Sequence, residues 1–116
     1  MGTDLNQFLP LSPPSLHILI ALAGEDLHGY AIMLEVARQT KDGYKLRPGT
    51  LYDNIQKLLG QKLIERTGRT DANDERRLYY RLTSLGRGVV AADISRLETV
   101  FRKAKSHLQP VSASKP

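Results

Sequence analysis

The chain has 116 residues, of which 41% are hydrophobic; this is enough for one compact domain with a small core that would gain from an oligomer interface. With no Cys, disulfide frameworks, thiolate metal sites and Cys nucleophiles are all excluded. The net charge of +5 is unevenly placed, because twelve Lys and Arg face six Asp and Glu between Arg38 and Arg87, while the rest of the chain has five bases and six acids. A concentration of this kind suits a polyanionic partner, and equally an ordinary solvated basic surface.

Residues 1–11 show no period and are expected to form an arm. The opening Met1-Gly2-Thr3-Asp4 has an early acid and no apolar run, so it does not read as a signal peptide. Asn6 breaks the myristoylation pattern that Gly2 would open. No apolar run nears the roughly 18 residues that span a bilayer, so no membrane partner is expected. The expectation is a soluble cytoplasmic protein.

A first helix is predicted from the capping Ser12 and the helix-starting Pro13 and Pro14 to Gly24, with Leu16, Leu19, Ile20 and Ala23 at helical spacing. A second runs from Gly29 to Gln39 and buries Ile32, Met33, Val36 and Ala37. After the polar loop Thr40 to Lys45, a third begins near Pro48 and ends near Gln61. Its Leu51, Ile55, Leu58 and Leu59 share one face, opposite Thr50, Asp53, Gln56, Lys57 and Gly60. Leu63 to Thr67 reads as a strand and Arg77 to Leu82 as its return, with Leu78, Tyr80 and Leu82 on one face and Arg77, Tyr79 and Arg81 on the other. The polar stretch from Gly68 to Glu75 reads as a flexible loop too long for a tight hairpin.

The last helix is predicted from Ser84 to Leu108. Its Val90, Ile94, Leu97, Phe101, Ala104 and Leu108 alternate spacings of four and three, an a/d seam that one helix cannot bury against itself. A homodimer paired along this seam is therefore expected. Residues 109–116 read as a disordered tail.

The fold class that follows is mainly α, a winged helix-turn-helix of three helices plus a two-stranded β wing, with a long C-terminal dimerisation helix. Residues 12–83 would be the DNA-binding domain and 84–108 the dimerisation helix. In this architecture the third helix enters the major groove of double-stranded DNA and the wing touches the backbone or minor groove. Lys45 and Arg47 crowd the start of the third helix, where the macrodipole disfavours cations but an anionic phosphate would be stabilised. Gly49 allows close backbone approach and Thr50 supplies a hydroxyl. Asp53, Gln56 and Lys57 are placed to meet base edges, or, for Asp53 and Lys57, to pair with each other on the surface. In the wing, Arg69 and Arg77 are the candidate contacts, although Asp71, Asp74 and Glu75 offset much of the charge there.

His28-Gly29-Tyr30-Ala31-Ile32, then Pro48-Gly49-Thr50-Leu51-Tyr52 with Leu58 and the Gly60-to-Ile64 turn, then Leu78-Tyr79-Tyr80-Arg81-Leu82-Thr83 and Gly86, resemble the PadR family of bacterial regulators. The likeness covers about Leu11 to Gly88, and the single last helix is similar to that of the family's short subclass. The resemblance implies a nucleoid-associated homodimeric repressor of a pseudo-palindromic operator, often released by a small molecule. It implies a DNA-facing role for Thr50 and Tyr52, and a packing role for His28 and Tyr30. Asp53 and Leu59 stand where the family commonly has Pro and Glu. With no Trp, and with Phe101 the only aromatic of the last helix, the chain departs from relatives that hold a small aromatic effector at the dimer interface.

An enzyme is disfavoured, since His17, His28 and His107 are scattered and no paired carboxylates, nucleophile–base spacing or metal-ligand spacing accompany them. His17 reads as a packed residue of an apolar helix. No cofactor is called for. The remaining alternative is a winged-helix module used only for protein contacts, which would not need cations at the start of its third helix.

Overall fold

A computed structural model of the chain describes residues 4–71 and 74–109. In chain order it holds a short 3-10 turn (Leu5–Phe8), α1 (Pro13–Gly24), β1 (Leu27–His28), α2 (Gly29–Gln39), α3 (Pro48–Gly60), β2 (Ile64–Asp71), β3 (Asp74–Leu82) and α4 (Ser84–Leu108). The first three residues of the expected arm, the tip residues 72 and 73 of the wing and the expected tail from residue 110 onward lie outside the described residues.

Each helix start follows from its local sequence. Ser12 Oγ accepts the Ser15 amide at 3.3 Å, and Pro at the next positions has no amide to satisfy. At α2 the cap is an imidazole, with His28 Nδ1 accepting the Ala31 N–H at 3.1 Å, so Nδ1 must carry a lone pair. At α4 Thr83 Oγ1 accepts the Gly86 amide at 2.9 Å. The turn after α2 places Lys41 and Asp42 at positive φ, and Thr40 Oγ1 closes it by donating to Val36 O at 2.8 Å and accepting the Tyr44 N–H at 3.2 Å.

The core is formed by Ile18, Leu19 and Leu22 of α1, Ile32 and Val36 of α2, Leu51, Ile55 and Leu58 of α3, Leu63 and Ile64, Tyr80 and Leu82 of β3, and Val89 and Val90 of α4. In α1 the deeply buried residues are Ser15, Ile18, Leu19, Ala21 and Leu22, whereas Leu16, Ile20 and Ala23 are half-buried. The expected stripe is thus rotated, because this helix is apolar on nearly every side and periodicity cannot select a face. A polar link ties α1 to α3. The fully buried Ser15 hydroxyl donates to Asn54 Oδ1 at 3.1 Å, and Asn54 Nδ2 donates to Thr50 O at 2.8 Å.

The sheet has three strands in the order β1-β3-β2, one more than the two-stranded reading, because the two-residue β1 is too short for any period to reveal. The hairpin is longer than expected, with strands continuing to the pair Asp71↔Asp74 where the polar composition predicts a flexible loop. A strand stretch paired only with its hairpin partner carries no required apolar period, so composition does not separate it from a loop. β2 carries extra residues between the pairs Arg66↔Tyr80 and Thr70↔Leu78, with Gly68 at φ +84 and Thr67 Oγ1 accepting the Arg69 amide at 2.9 Å. This bulge changes the strand's twist and re-aims the side chain that follows it.

His17 stacks on Tyr44, with ring centroids 4.5 Å apart and an interplanar angle of 25°, tying α1 to the segment that leads into α3. Burial pushes the imidazole pKa down from 6.5. The folded chain therefore binds this proton more weakly than the unfolded one, so its contribution is intact above pH 6.5 and is lost as pH falls towards the folded value. Urea midpoints at about pH 8 and about pH 5 should differ less for His17→Phe than for the wild type. Equal drops in both would remove His17 from the acid response. Among the described residues no helix is long and apolar enough to cross a membrane.

Candidate nucleic-acid interface

The segment before α3 is extended, so side chains alternate. Leu46 is buried, and its neighbours Lys45 and Arg47 project outward on either side. Arg47 is the N-cap residue of α3 but makes no side-chain capping bond, unlike Ser12, His28 and Thr83 at the other three α-helices. Pro48 has no amide, so the exposed start of α3 presents the Gly49 and Thr50 N–H groups without a side-chain partner. No atom comes within 4 Å of where a Cβ at Gly49 would stand, so the chain's own packing does not require glycine there.

Along α3, Leu51, Ile55 and Leu58 are fully buried, which fixes the rotation of the helix. Thr50, Tyr52, Asp53, Gln56 and Lys57 are all exposed as a consequence. Asp53 and Lys57 form no ion pair with each other among the described residues, so both polar ends face solvent. The face carries donors and acceptors suited to base edges, and no acid other than Asp53.

In the wing, the bulge brings the Arg69 guanidinium 4.1 Å from the centroid of the Tyr79 ring, and Tyr79 meets His28 edge-on at 5.1 Å. At this distance the cation sits over the electron-rich face of the ring, which holds the arginine at the wing. Arg77 lies 5.7 Å over Tyr30. Arg81 is engaged across the strands by Glu65 at 3.0 Å. The side chains of Asp71, Asp74, Glu75 and Arg76 lie outside the described residues.

In α4 the seam is buried at its start and increasingly open, though unevenly, towards its end. Val90 is 7% exposed and packs in the chain's own core, Ile94 is 38% exposed, Leu97 and Ala104 are half-buried, Phe101 is 62% exposed and Leu108 is 79%. Lys105 Nζ lies 5.2 Å from the Phe101 ring. The uncovered part of the seam thus begins at Ile94.

A family model described as "Transcriptional regulator PadR-like family" matches residues 18–92, a span that takes in the core helices, the wing and the start of α4. The chain belongs to the PadR-like family of transcriptional regulators. It is 34% identical over 88 residues to the transcriptional regulator Rv3488 of Mycobacterium tuberculosis, covering 76% of this chain and 78% of that protein. An uncharacterized protein of Lysinibacillus sphaericus is 31% identical over 74 residues, covering 64% of this chain and 68% of the relative. In fold, the chain matches a PadR-like transcriptional regulator of Bacillus cereus with a TM-score of 0.70 at 21% identity, covering 91% of this chain and 96% of that structure. The PadR-like winged helix with its long C-terminal helix is therefore the architecture of this chain.

Within this PadR-like frame two side chains take places the motifs did not indicate. Tyr30, expected to pack, is 50% exposed, because it follows Gly29 at the outer edge of α2. Tyr79 buttresses Arg69, a contact that depends on a bulge rather than on spacing along one strand.

Proposed function

We propose that this chain is a homodimeric transcriptional repressor that binds a pseudo-palindromic site in double-stranded DNA. The start of α3 meets backbone phosphate through Lys45, Arg47 and the Gly49 and Thr50 amides, and the Asp53, Gln56 and Lys57 face meets base edges in the major groove. Tyr52 lines the same approach, and Arg69 and Arg77 of the wing reach backbone or minor groove. Residues 12–83 carry this contact, and residues 84–108 pair two chains through Ile94, Leu97, Phe101, Ala104 and Leu108. The recognition helices of the pair stand about 34 Å apart, one turn of DNA. Such a protein works in the cytoplasm, on the nucleoid. A small aromatic effector between protomers would release the operator by binding one spacing of the two α3 helices better than the other.

The observation that carries this reading is the uncapped, cation-flanked start of α3 beside an exposed polar face. The Gly49→Ala change separates fold from function at that point. A Cβ there meets nothing in the chain, so stability should hold or rise by up to about 1 kcal/mol from the better helix former. Duplex affinity should nevertheless fall, because the added methyl stands where a phosphate approaches. Thr50→Ala and Lys57→Ala should also weaken binding at unchanged melting temperature. Unaltered affinity in all three would move recognition elsewhere on the molecule. For the wild type, each phosphate neutralised contributes about −0.9 to the slope of log K against log salt. A module that meets only proteins would show little duplex affinity at any salt concentration.

A further inference from the structure

The core joins α1 to α3 through Ile18, Leu19 and Leu22 on one helix and Leu51, Ile55 and Leu58 on the other. Apolar burial is non-directional, so it holds two helices together but leaves their relative angle to finer contacts. One polar contact supplies the direction. Ser15, fully buried in the first turn of α1, donates its hydroxyl to Asn54 Oδ1 at 3.1 Å, and Asn54 Nδ2 donates to Thr50 O at 2.8 Å. The Ser15 amide is itself held by the α1 cap, Ser12 Oγ, at 3.3 Å. A continuous hydrogen-bonded path thus runs from the cap of α1 to the first turn of α3. Among the described residues, Ser15 to Asn54 is the only hydrogen bond or ion pair between the two helices.

Both ends of the Asn54 amide are used, and only one orientation uses them. Turned over, its oxygen would face the Thr50 carbonyl, acceptor against acceptor. Asn54 is half-buried and directed at α1, whereas Thr50, Asp53, Gln56 and Lys57 around it are exposed. We propose that Ser15 and Asn54 form a pin that sets the angle of α3 against α1 and so aims its exposed face at the base edges. Asn54 is a positioning residue for sequence readout, acting through the first turn of α3, and Ser15 acts through Asn54. This rests on the DNA-binding reading and adds the residues that orient the helix. Hydrogen bonds to base edges weaken steeply as their angle departs from linear. Lys45 and Arg47 carry their charge on long side chains, which follow a phosphate through a small tilt. Loosening α3 therefore costs discrimination between sequences before it costs attraction to duplexes in general.

The test titrates the full chain with two duplexes of about 30 base pairs, the sequence that the wild type selects most tightly from a random pool and a scrambled version of it. Ser15→Ala and Asn54→Ala should each lower the ratio of the two affinities about fivefold, roughly the worth of one ordinary hydrogen bond. The salt slope on the scrambled duplex should not change. Alanine suits a helix at either position, so both variants should fold. The double variant should lower the ratio no further than Asn54→Ala alone, because the contact between the two residues is already lost there. A merely structural role would leave the ratio unmoved, since a smaller folded fraction lowers both apparent affinities by the same factor. Wild-type discrimination in Ser15→Ala and Asn54→Ala would overturn the pin while leaving the DNA reading standing. Loss in Asn54→Ala alone would make Asn54 a direct contact and also overturn it. A wild-type chain that binds neither duplex, or both alike, would overturn the DNA reading and the pin together.

Discussion

Phe101→Asp is expected to sediment as a monomer and to lose duplex affinity by about a hundredfold or more. The side chain is 62% exposed in the single chain and touches little of it beyond Lys105, so its removal leaves the winged domain folded. In the proposed pair it would be buried against its own copy, and two carboxylates brought together there would be desolvated and would repel each other. Leu97→Asp should act in the same direction, although this residue is half-buried in the chain itself and also costs some fold stability. The effect on DNA follows from avidity. Once one recognition helix is bound, its twin meets the second half-site at an effective concentration near millimolar, and splitting the pair forfeits that advantage. Thr99→Asp, exposed and off the seam, is the matched control and should remain dimeric. A Phe101→Asp chain that still sediments as a dimer and binds at wild-type affinity would remove α4 as the pairing element.

Most of the helical frame was legible because its signals are local. The capping Ser12, the Pro-started α3 and the bounds Gly29–Gln39 and Ser84–Leu108 stand where side-chain chemistry sets them. The rotation of α3 was readable as well, since Leu51, Ile55 and Leu58 are apolar against a polar opposite face, and that rotation alone displays Thr50, Asp53, Gln56 and Lys57. Where a helix is apolar all round, period does not select the buried face. The apolar circumference of α1 hid the choice of Ile18 and Leu22 over Leu16 and Ile20 as the deep face.

What was hidden depends on contacts distant in sequence. The strand character of β2 beyond Thr67 comes from its partner strand, and β1 exists only because Leu27 and His28 lie opposite Tyr80 and Tyr79. The placement of Arg69 on Tyr79 needs that pairing together with the bulge at Gly68. Asp93 is a further case. It lies fully buried on α4, its Oδ1 accepts from Arg96 Nε at 2.7 Å, and its Oδ2 has no hydrogen-bond partner among the described residues. A carboxylate on a helix otherwise read as a polar-backed seam gives no sequence signal of its burial.

Gly86 and Gly88 lie two residues apart in the first turns of α4, yet their replacement by Ala should have opposite effects. At Gly86 a Cβ would stand 2.0 Å from Leu63 O, 2.8 Å from Leu82 Cδ1 and 2.9 Å from Leu63 C. The nearest obstacle is backbone, so no rotamer change relieves it. The same Leu63 carbonyl accepts the Thr83 amide at 3.0 Å and the Thr83 hydroxyl at 3.0 Å, and Thr83 in turn caps α4 through the Gly86 amide. Forcing the helix away from Leu63 therefore breaks the joint between α4 and the turn after α3, and should cost about 3 kcal/mol or more. At Gly88 the Cβ would meet only Leu5, at 3.5 and 3.9 Å, which is ordinary contact. Gly88→Ala should then stabilise the chain by up to about 1 kcal/mol through helix propensity alone. Urea unfolding of the two variants separates the causes. If propensity governed this helix start, both would gain; if close packing on Leu63 governs it, Gly86→Ala loses heavily while Gly88→Ala gains. Equal stability of Gly86→Ala and the wild type would mean that α4 can leave Leu63 freely, and the fixed angle between the seam and the recognition helix would go with it.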